Sequence, residues 1–404
     1  MTEDDGPHTG GARFGDVFAD AQFRALWAAQ LLSVLGDQVA RVALAVLVFT
    51  ETRSAGLTAL TYALTFLPDL VAGPLLSGIA DRAPRRLTMV VSDLLRAAVL
   101  ALMAMPGMPF AVLCALVVAG QLIAAPFAAA RAAILPHVLT GERYVVASAV
   151  SGTTYQSGQV LGFALGGPLV ALVGVPVALL ADAATFVLAA LILQLGVAEQ
   201  RATGGVPDDA GVRLRDGARI VVGDRRLRSL VALACVSAFV VTVEGLAAPY
   251  AASLGGGPVT VGLLFAANPL GAALGIVLLA RLVPPARRDR LLGPLAVLSC
   301  VPLVASALDP PLGGVIALWV VSGLACAYQV PANAAFVAAV PDAHRGQAFG
   351  LAVTALRVTQ GVGVLVAGLL AERTGPATAV ALAGALGVVV AVLCAVAWNR
   401  ARAS

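Results

Sequence analysis

The chain has 404 residues, 60% hydrophobic and only 12% charged, about half the ~25% charged share of an ordinary soluble domain. A water-soluble protein of this size would have to cover its surface with apolar side chains, so a soluble enzyme, a nucleic-acid binder and a disordered chain are excluded. The apolar runs are long and unbroken, which disfavours an outer-membrane barrel with its alternating strands and leaves a polytopic helical membrane protein.

The first 22 residues open on Met1-Thr2-Glu3-Asp4-Asp5, too acidic and polar for a signal peptide, and are expected as a cytoplasmic tail. Twelve apolar stretches follow, each near the ~20 residues needed to cross a bilayer. They run approximately 25–50, 57–80, 87–105, 110–130, 145–170, 175–197, 229–250, 260–282, 291–308, 312–337, 347–371 and 376–398. All 26 basic residues are arginine, and the net charge is +4. With both termini placed in the cytoplasm, 21 arginines fall on the inner side, two (Arg53 and Arg373) on the outer side, and three (Arg41, Arg96 and Arg357) within spans. That asymmetry supports the even span count and the orientation, and reads the positive charge as topogenic.

The spans group as 23–197 and 229–398, joined by a cytoplasmic linker, 198–228, and followed by a short tail, 399–404. The linker is expected to carry a solvated amphipathic helix with Arg215, Arg219 and Arg226 on one face. Shifting the chain by 205 residues superposes Pro126 and Pro136 on Pro331 and Pro341, Arg82 on Arg287, and the ladder Gly158, Gly162, Gly166 on Gly363, Ala367, Ala371. The expected fold is therefore all-α, with twelve transmembrane helices in two six-helix parallel-repeat halves, one of the recognised transporter architectures.

Ionisable side chains inside spans carry the sharpest functional signal, because each costs roughly 2.5–3.5 kcal/mol near a helix centre. Asp37 and Arg41 stand four residues apart in span one and are expected to pair, with Gln30 and Ser33 on the same stripe. Asp69 in span two and Glu244 in span seven are candidate proton carriers; the alternative for each is a satisfied bundle carboxyl. Asp182 reads as structural. Tyr62, Gln121, Tyr155, Gln159, Asn268, Tyr328, Asn333 and Arg357 are candidates to line a midplane cavity. Gly158, Gly162, Gly166 and Gly167 allow close helix packing, and motion against a neighbour would use the same surface.

The five cysteines (Cys114, Cys235, Cys300, Cys326 and Cys394) sit in apolar runs without metal-ligand spacing and read as inert thiols. His8, His137 and His344 lie in soluble segments, and neither a nucleophile elbow nor a phosphate loop is present. No enzyme chemistry, ATP hydrolysis, cofactor or metal is expected; a proton gradient would supply the energy.

The junction of spans two and three reads Gly78-Ile79-Ala80-Asp81-Arg82-Ala83-Pro84-Arg85-Arg86. Together with twelve spans and a six-plus-six repeat, it resembles the major facilitator superfamily, whose loop there runs Gly-x-Leu-Ala-Asp-Arg-x-Gly-Arg-Arg/Lys. The match keeps Gly78, Asp81, Arg82, Arg85 and Arg86 and departs at Pro84. The resemblance implies a cytoplasmic latch between the halves, to which Asp93 and Arg96 would contribute. Further segments, among them Ser92-Asp93-Leu94-Leu95-Arg96, Ala129-Ala130-Arg131 and Arg345-Gly346-Gln347-Ala348-Phe349-Gly350, are similar to the branch holding the enterobactin exporter and the macrolide-efflux proteins. One exporter-associated motif departs: where span five usually has Gly-Pro-x-x-Gly-Gly, this chain has Gly162-Phe163-Ala164-Leu165-Gly166-Gly167, with Pro168 after it.

These observations lead to a secondary transporter of the plasma (inner) membrane, working by alternating access. The resemblance implies proton-coupled export of an amphipathic small molecule, drug-, macrolide- or siderophore-like. Asp37, Arg41, Asp69 and Glu244 are the candidates for coupling. Expected partners are a small-molecule substrate and membrane lipid; no nucleic acid is expected, and the chain is expected to be monomeric. An importer or uncoupled facilitator of the same superfamily, and a non-transporting scaffold or sensor, remain as alternatives.

Overall fold

The computed structural model describes residues 14–66, 83–200, 210–341 and 344–403. Among these the secondary structure is helical throughout, and nine helices are long and apolar enough to cross a membrane. One of the nine, Gly141–Gly196, holds two of the expected spans, five and six. It reverses at Gly174, whose φ of 78° and ψ of 166° lie in a region open to glycine, with Pro176 two residues on. Span three is the 19-residue helix Arg85–Met103. Span two is described from Ala55 to Phe66 only.

Several helix ends follow from local chemistry. Span one, Ala21–Thr52, starts at Asp20, whose carboxylate accepts from the amides of Gln22 and Phe23 and so satisfies two of the four orphan donors of its first turn. It ends at Arg53 in the left-handed conformation. Ser54 caps span two through the Leu57 amide.

Span seven is broken into Arg225–Cys235, Ser237–Val240, Thr242–Gly245 and Ala247–Ser253. The hydroxyls of Ser237 and Thr242 donate to the carbonyls of Ala234 and Phe239, at 2.9 and 2.7 Å, and such back-bonding bends a helix. Glu244 stands on the third piece. Span ten is interrupted too, by a single 3₁₀ turn at Cys326–Tyr328 between Leu312–Ala325 and Gln329–Ala339.

The internal repeat reappears as packing. A β-carbon on Gly158 would meet the Val34 side chain of span one at 2.9 Å, and one on Gly363 would meet the Ala238 carbonyl of span seven at the same distance. Gly162 and Gly166 continue the contact along span one, against Leu35, Gln38, Val39 and Val42.

The two halves meet reciprocally. Span five touches span eight, where a β-carbon on Gly167 would fall 2.6 Å from the Pro258 carbonyl and one on Gly262 would fall 2.7 Å from the Gly167 amide. Span eleven touches span two, with Gly368 against Ala59 and Ala55. There Glu372 accepts from the Ser54 hydroxyl and, at 2.8 Å, from the Gly56 amide, so a carboxylate of the second half caps a helix of the first. Both seams lie at the Arg-poor end of the bundle.

The linker helix, Ala210–Gly223, lays one face on span eleven: Gly217 lies so close that a β-carbon would be 2.6 Å from the Gln347 carbonyl, and Val221 is buried, while Arg219 is exposed. Arg226, beyond it, stands over the Trp398 ring at 5.8 Å.

The seams generate a prediction. Gly167→Val forces side-chain volume into backbone contact, an overpacking cost of about 1–3 kcal/mol, or roughly a 5- to 150-fold shift toward the state in which the Arg-poor end opens. Glu372→Ala shifts the balance the same way by a smaller amount. Spin labels at Arg53 and Ser253, in a background without native cysteines, should report a longer distance for both variants; an unchanged distribution for Gly167→Val would refute the seam.

Candidate functional site

Between the halves lies a continuous cavity in two compartments of about 570 and 540 Å³. They share Tyr155, Gln159, Val241, Glu244, Arg357 and Gln360 as common wall. The cavity runs toward the Arg-rich end, where Leu135 of span four, Leu230 of span seven and Phe349 of span eleven line it.

Its opposite end is sealed by aromatic rings from both halves. Phe163 of span five stacks on Phe265 of span eight at 4.9 Å, Tyr62 of span two tilts against Phe265 at 5.9 Å, and Phe66 meets Tyr62 edge-on at 5.5 Å. Phe163 and Phe265 are fully buried. The residue that departs from the exporter motif is therefore part of the seal.

At the base of the cavity the Tyr62 hydroxyl donates a hydrogen bond to Glu244. This bond joins the two halves where both residues are nearly excluded from solvent, at 6% and 8% exposure. The Arg41 guanidinium stands over the Tyr62 ring at 6.0 Å, and that of Arg357 over Phe66 at 5.7 Å. Two arginines and one carboxylate thus converge on the contact between the halves.

A family model described as the Major Facilitator Superfamily matches residues 26–251 and again 230–403. The chain belongs to this superfamily. Its fold is similar to solved transporters at low sequence identity. A bacterial homolog to the human lysosomal transporter Spinster, in an inward-facing and occupied conformation, superposes with a TM-score of 0.73 at 16% identity over 97% of this chain and 98% of that one. The nucleoside transporter NupG gives 0.73 at 14% over 94% and 99%. A POT family transporter in complex with 5-aminolevulinic acid gives 0.71 at 12% over 94% and 96%. No curated protein matches the chain. It is a membrane transporter of the major facilitator type.

Within this facilitator fold, most expected cavity residues are in place. Gln30, Ser33, Tyr62 and Gln121 line the compartment on the first-half side, Asn268 and Asn333 the other, and Tyr155, Gln159 and Arg357 both. Tyr328 is the exception. It is fully buried and turns away, its hydroxyl donating to the Leu233 carbonyl at 2.9 Å, so it joins span ten to span seven.

The expected Asp37–Arg41 pair is also corrected. Oδ1 of Asp37 takes its partner from span three, Nη2 of Arg96 at 2.6 Å, while Arg41, one turn on, reaches toward Tyr62. A planar guanidinium with a ring beneath it is well held, and Arg96 lies 4.1 Å from the Phe186 centroid. Arg96 and the fully buried Asp93 therefore belong to the interior of the first half and not to a surface latch. Asp182 packs beside them against span one: a β-carbon on Gly36 would be 1.8 Å from its Oδ1, which also accepts from Thr185 at 3.1 Å.

Of the latch, Gly78, Asp81 and Arg82 lie outside the described residues, as does Asp69. Arg85 donates to the Ala133 carbonyl at 3.0 Å, and Arg86 pairs with Glu199 at 3.2 Å. With the Arg86 bond to the Val197 carbonyl, these contacts bind span three to span four, the end of span six and the start of the linker, and among the described residues neither arginine is seen to bond to the second half.

Sequence reasoning missed two site residues. Arg131 was counted with the loop arginines, yet the helix Phe110–Val138 carries it along the cavity wall. The signal was the absence of any turn residue between Pro126 and Pro136. Phe163 was visible only as an exception to a motif. Among the described residues no three His, Cys, Asp or Glu side chains converge as a metal site.

The observed pairing is testable by a double-mutant cycle. Asp37→Asn and Arg96→Gln, singly and together, should give a coupling energy of about 1–2 kcal/mol in chemical unfolding, moderated because the Asp37 side chain is 34% exposed to the cavity. The corresponding Asp37–Arg41 cycle should give a several-fold smaller value; the reverse order would restore the pairing first expected.

Proposed function

We propose that the chain is a proton-coupled exporter of an amphipathic small molecule in the cytoplasmic membrane, with both termini in the cytoplasm. The observation that carries this reading is the Tyr62–Glu244 hydrogen bond at the base of the cavity. A carboxylate that holds the two halves together through one hydrogen bond links proton binding to the contact that rocking must break. Asp37, Arg41 and Asp69 accompany Glu244 as candidates for coupling, and the Arg41 guanidinium stands 6.0 Å from the Tyr62 ring centroid.

The arginine-rich end is the cytoplasmic one by the positive-inside rule, so the cavity is loaded from the cytoplasm in this state. Amide and aromatic side chains mixed with Val, Ala and Leu suit a molecule with both polar and apolar surface. Export, and the drug-, macrolide- or siderophore-like class, rest on the resemblance to the efflux branch. The latch loop would then close the cytoplasmic end in the opposite state.

Everted vesicles carrying the protein test the reading with a labelled macrolide and a labelled catecholate siderophore. An imposed proton gradient, acid inside, should drive uptake of at least one, and an uncoupler should stop it. Glu244→Gln should lower gradient-driven uptake at least ~10-fold while leaving substrate exchange without a gradient. Uptake indifferent to the uncoupler would make the chain a facilitator.

A further inference from the structure

Among the described residues that line the cavity, guanidinium groups outnumber carboxylates. Those of Arg41, Arg96, Arg131 and Arg357 face it, with the carboxylates of Asp37 and Glu244. Asp37 is committed to Arg96 at 2.6 Å, and Glu244 accepts from Tyr62. Among the described residues, Arg41 and Arg131 are left with no carboxylate within ion-pair distance.

Arg131 marks where an occupant's charge belongs. Its Nη2 donates to Oε1 of Gln30 and, at 3.2 Å, to the Ser151 hydroxyl, both neutral acceptors. Its Nε is buried and finds no partner among the described residues. Gln30 is itself fixed, its Nε2 donating to the Ser151 carbonyl at 3.1 Å, so the guanidinium is held in place by groups that do not neutralise it. Arg41 lies on the same wall over a neutral ring. Beyond the shared Glu244 and Arg357, the second-half wall presents uncharged amides: Asn268, whose Nδ2 is buried and without a partner among the described residues, Gln329, Asn333 and Gln360.

We propose that the first-half wall is an anion subsite, so that the cavity prefers amphiphiles bearing a carboxylate or a similarly shaped oxyanion over cationic ones, which narrows the proposed substrate classes to their acidic members. The anionic group pairs with Arg131, while Arg41, eleven residues (about 16 Å of helix rise) beyond Gln30 on span one, adds positive potential to the same wall, and the uncharged body lies along the amide wall of the second half. A guanidinium presents its donors in a planar fork that matches an oxyanion, which makes arginine suited to this role. A cation would instead add like charge beside a guanidinium that no carboxylate neutralises. This inference rests on the reading of the cavity as a small-molecule site but not on proton coupling or on the direction of transport.

Three fluorescent probes of one scaffold separate the possibilities: dansylglycine (anionic), dansylamide (neutral) and dansylcadaverine (cationic). Binding is measured to the full chain in phosphatidylcholine nanodiscs. Dansylglycine should bind at least ~10-fold more tightly than dansylcadaverine. Arg131→Gln should weaken dansylglycine about 10-fold and Arg41→Gln by a smaller factor, both leaving dansylamide unchanged, whereas Arg131→Lys should retain part of the preference. A melting curve close to that of the parent confirms folding; if Arg131→Gln fails to fold, Arg41→Gln and the order of the probes on the unaltered protein still decide.

Equal affinity for all three probes, or tightest binding of the cation, overturns the anion subsite while leaving coupled export standing. Failure of all three to bind overturns the small-molecule reading of the cavity as well. Anionic lipid is the other source of such a headgroup. Nanodiscs of phosphatidylglycerol should weaken dansylglycine binding to the parent but not to Arg131→Gln if lipid enters the subsite, and leave both unchanged if only soluble amphiphiles do.

Discussion

A charge inside a bilayer must be matched or hydrated, and this structure arranges its first half around that constraint. The Asp37–Arg96 pair, tying span one to span three over the Phe186 ring, is where the constraint is met most directly. Around it Gly36 gives up its side chain so that Asp182 can approach span one, and the glycines of span five bring that helix onto the same span. Span one is thus held on several sides. The residues left on its open side, Gln30, Ser33 and Arg41, are free to form cavity wall.

The second half meets the same constraint differently. Span seven, its counterpart of span one, is broken repeatedly, and the single carboxylate it brings to the interior is satisfied from across the interface by Tyr62. One half is rigidified by an internal ion pair, while the other lends its charge to the contact between halves. Two segments related by an internal repeat therefore have unlike work to do. Their charged residues reflect it, since neither Asp37 nor Arg96 recurs 205 residues later, where Thr242 and Val301 stand.

Much of this was legible in the chain. Composition and the alternation of arginine gave the span count, and a common offset of prolines and glycines exposed the repeat, because topology and close packing are written in residues near one another in sequence. Pairing was harder to read. Asp37 and Arg41 share a helix face, and helical spacing alone favours them; what decides is the rotation of span three, which delivers Arg96 from 59 residues away. Tyr328 failed for a related reason, since a 3₁₀ turn at its own position swings it from the cavity to span seven. Arg131 was misplaced because an apolar run ends before its helix does.

The aromatic seal has a consequence for the membrane itself. Where the exporter motif has a proline, this chain places Phe163, whose stack on Phe265 is backed toward the Arg-poor end by the Gly167–Pro258 and Gly368–Ala59 seams and the Glu372 cap. The ion tightness of the bilayer around each molecule then depends on the fit of flat side chains laid against close backbone contacts. The same rings and seams must part in each cycle, which ties permeability of the resting membrane to the contacts that alternating access breaks.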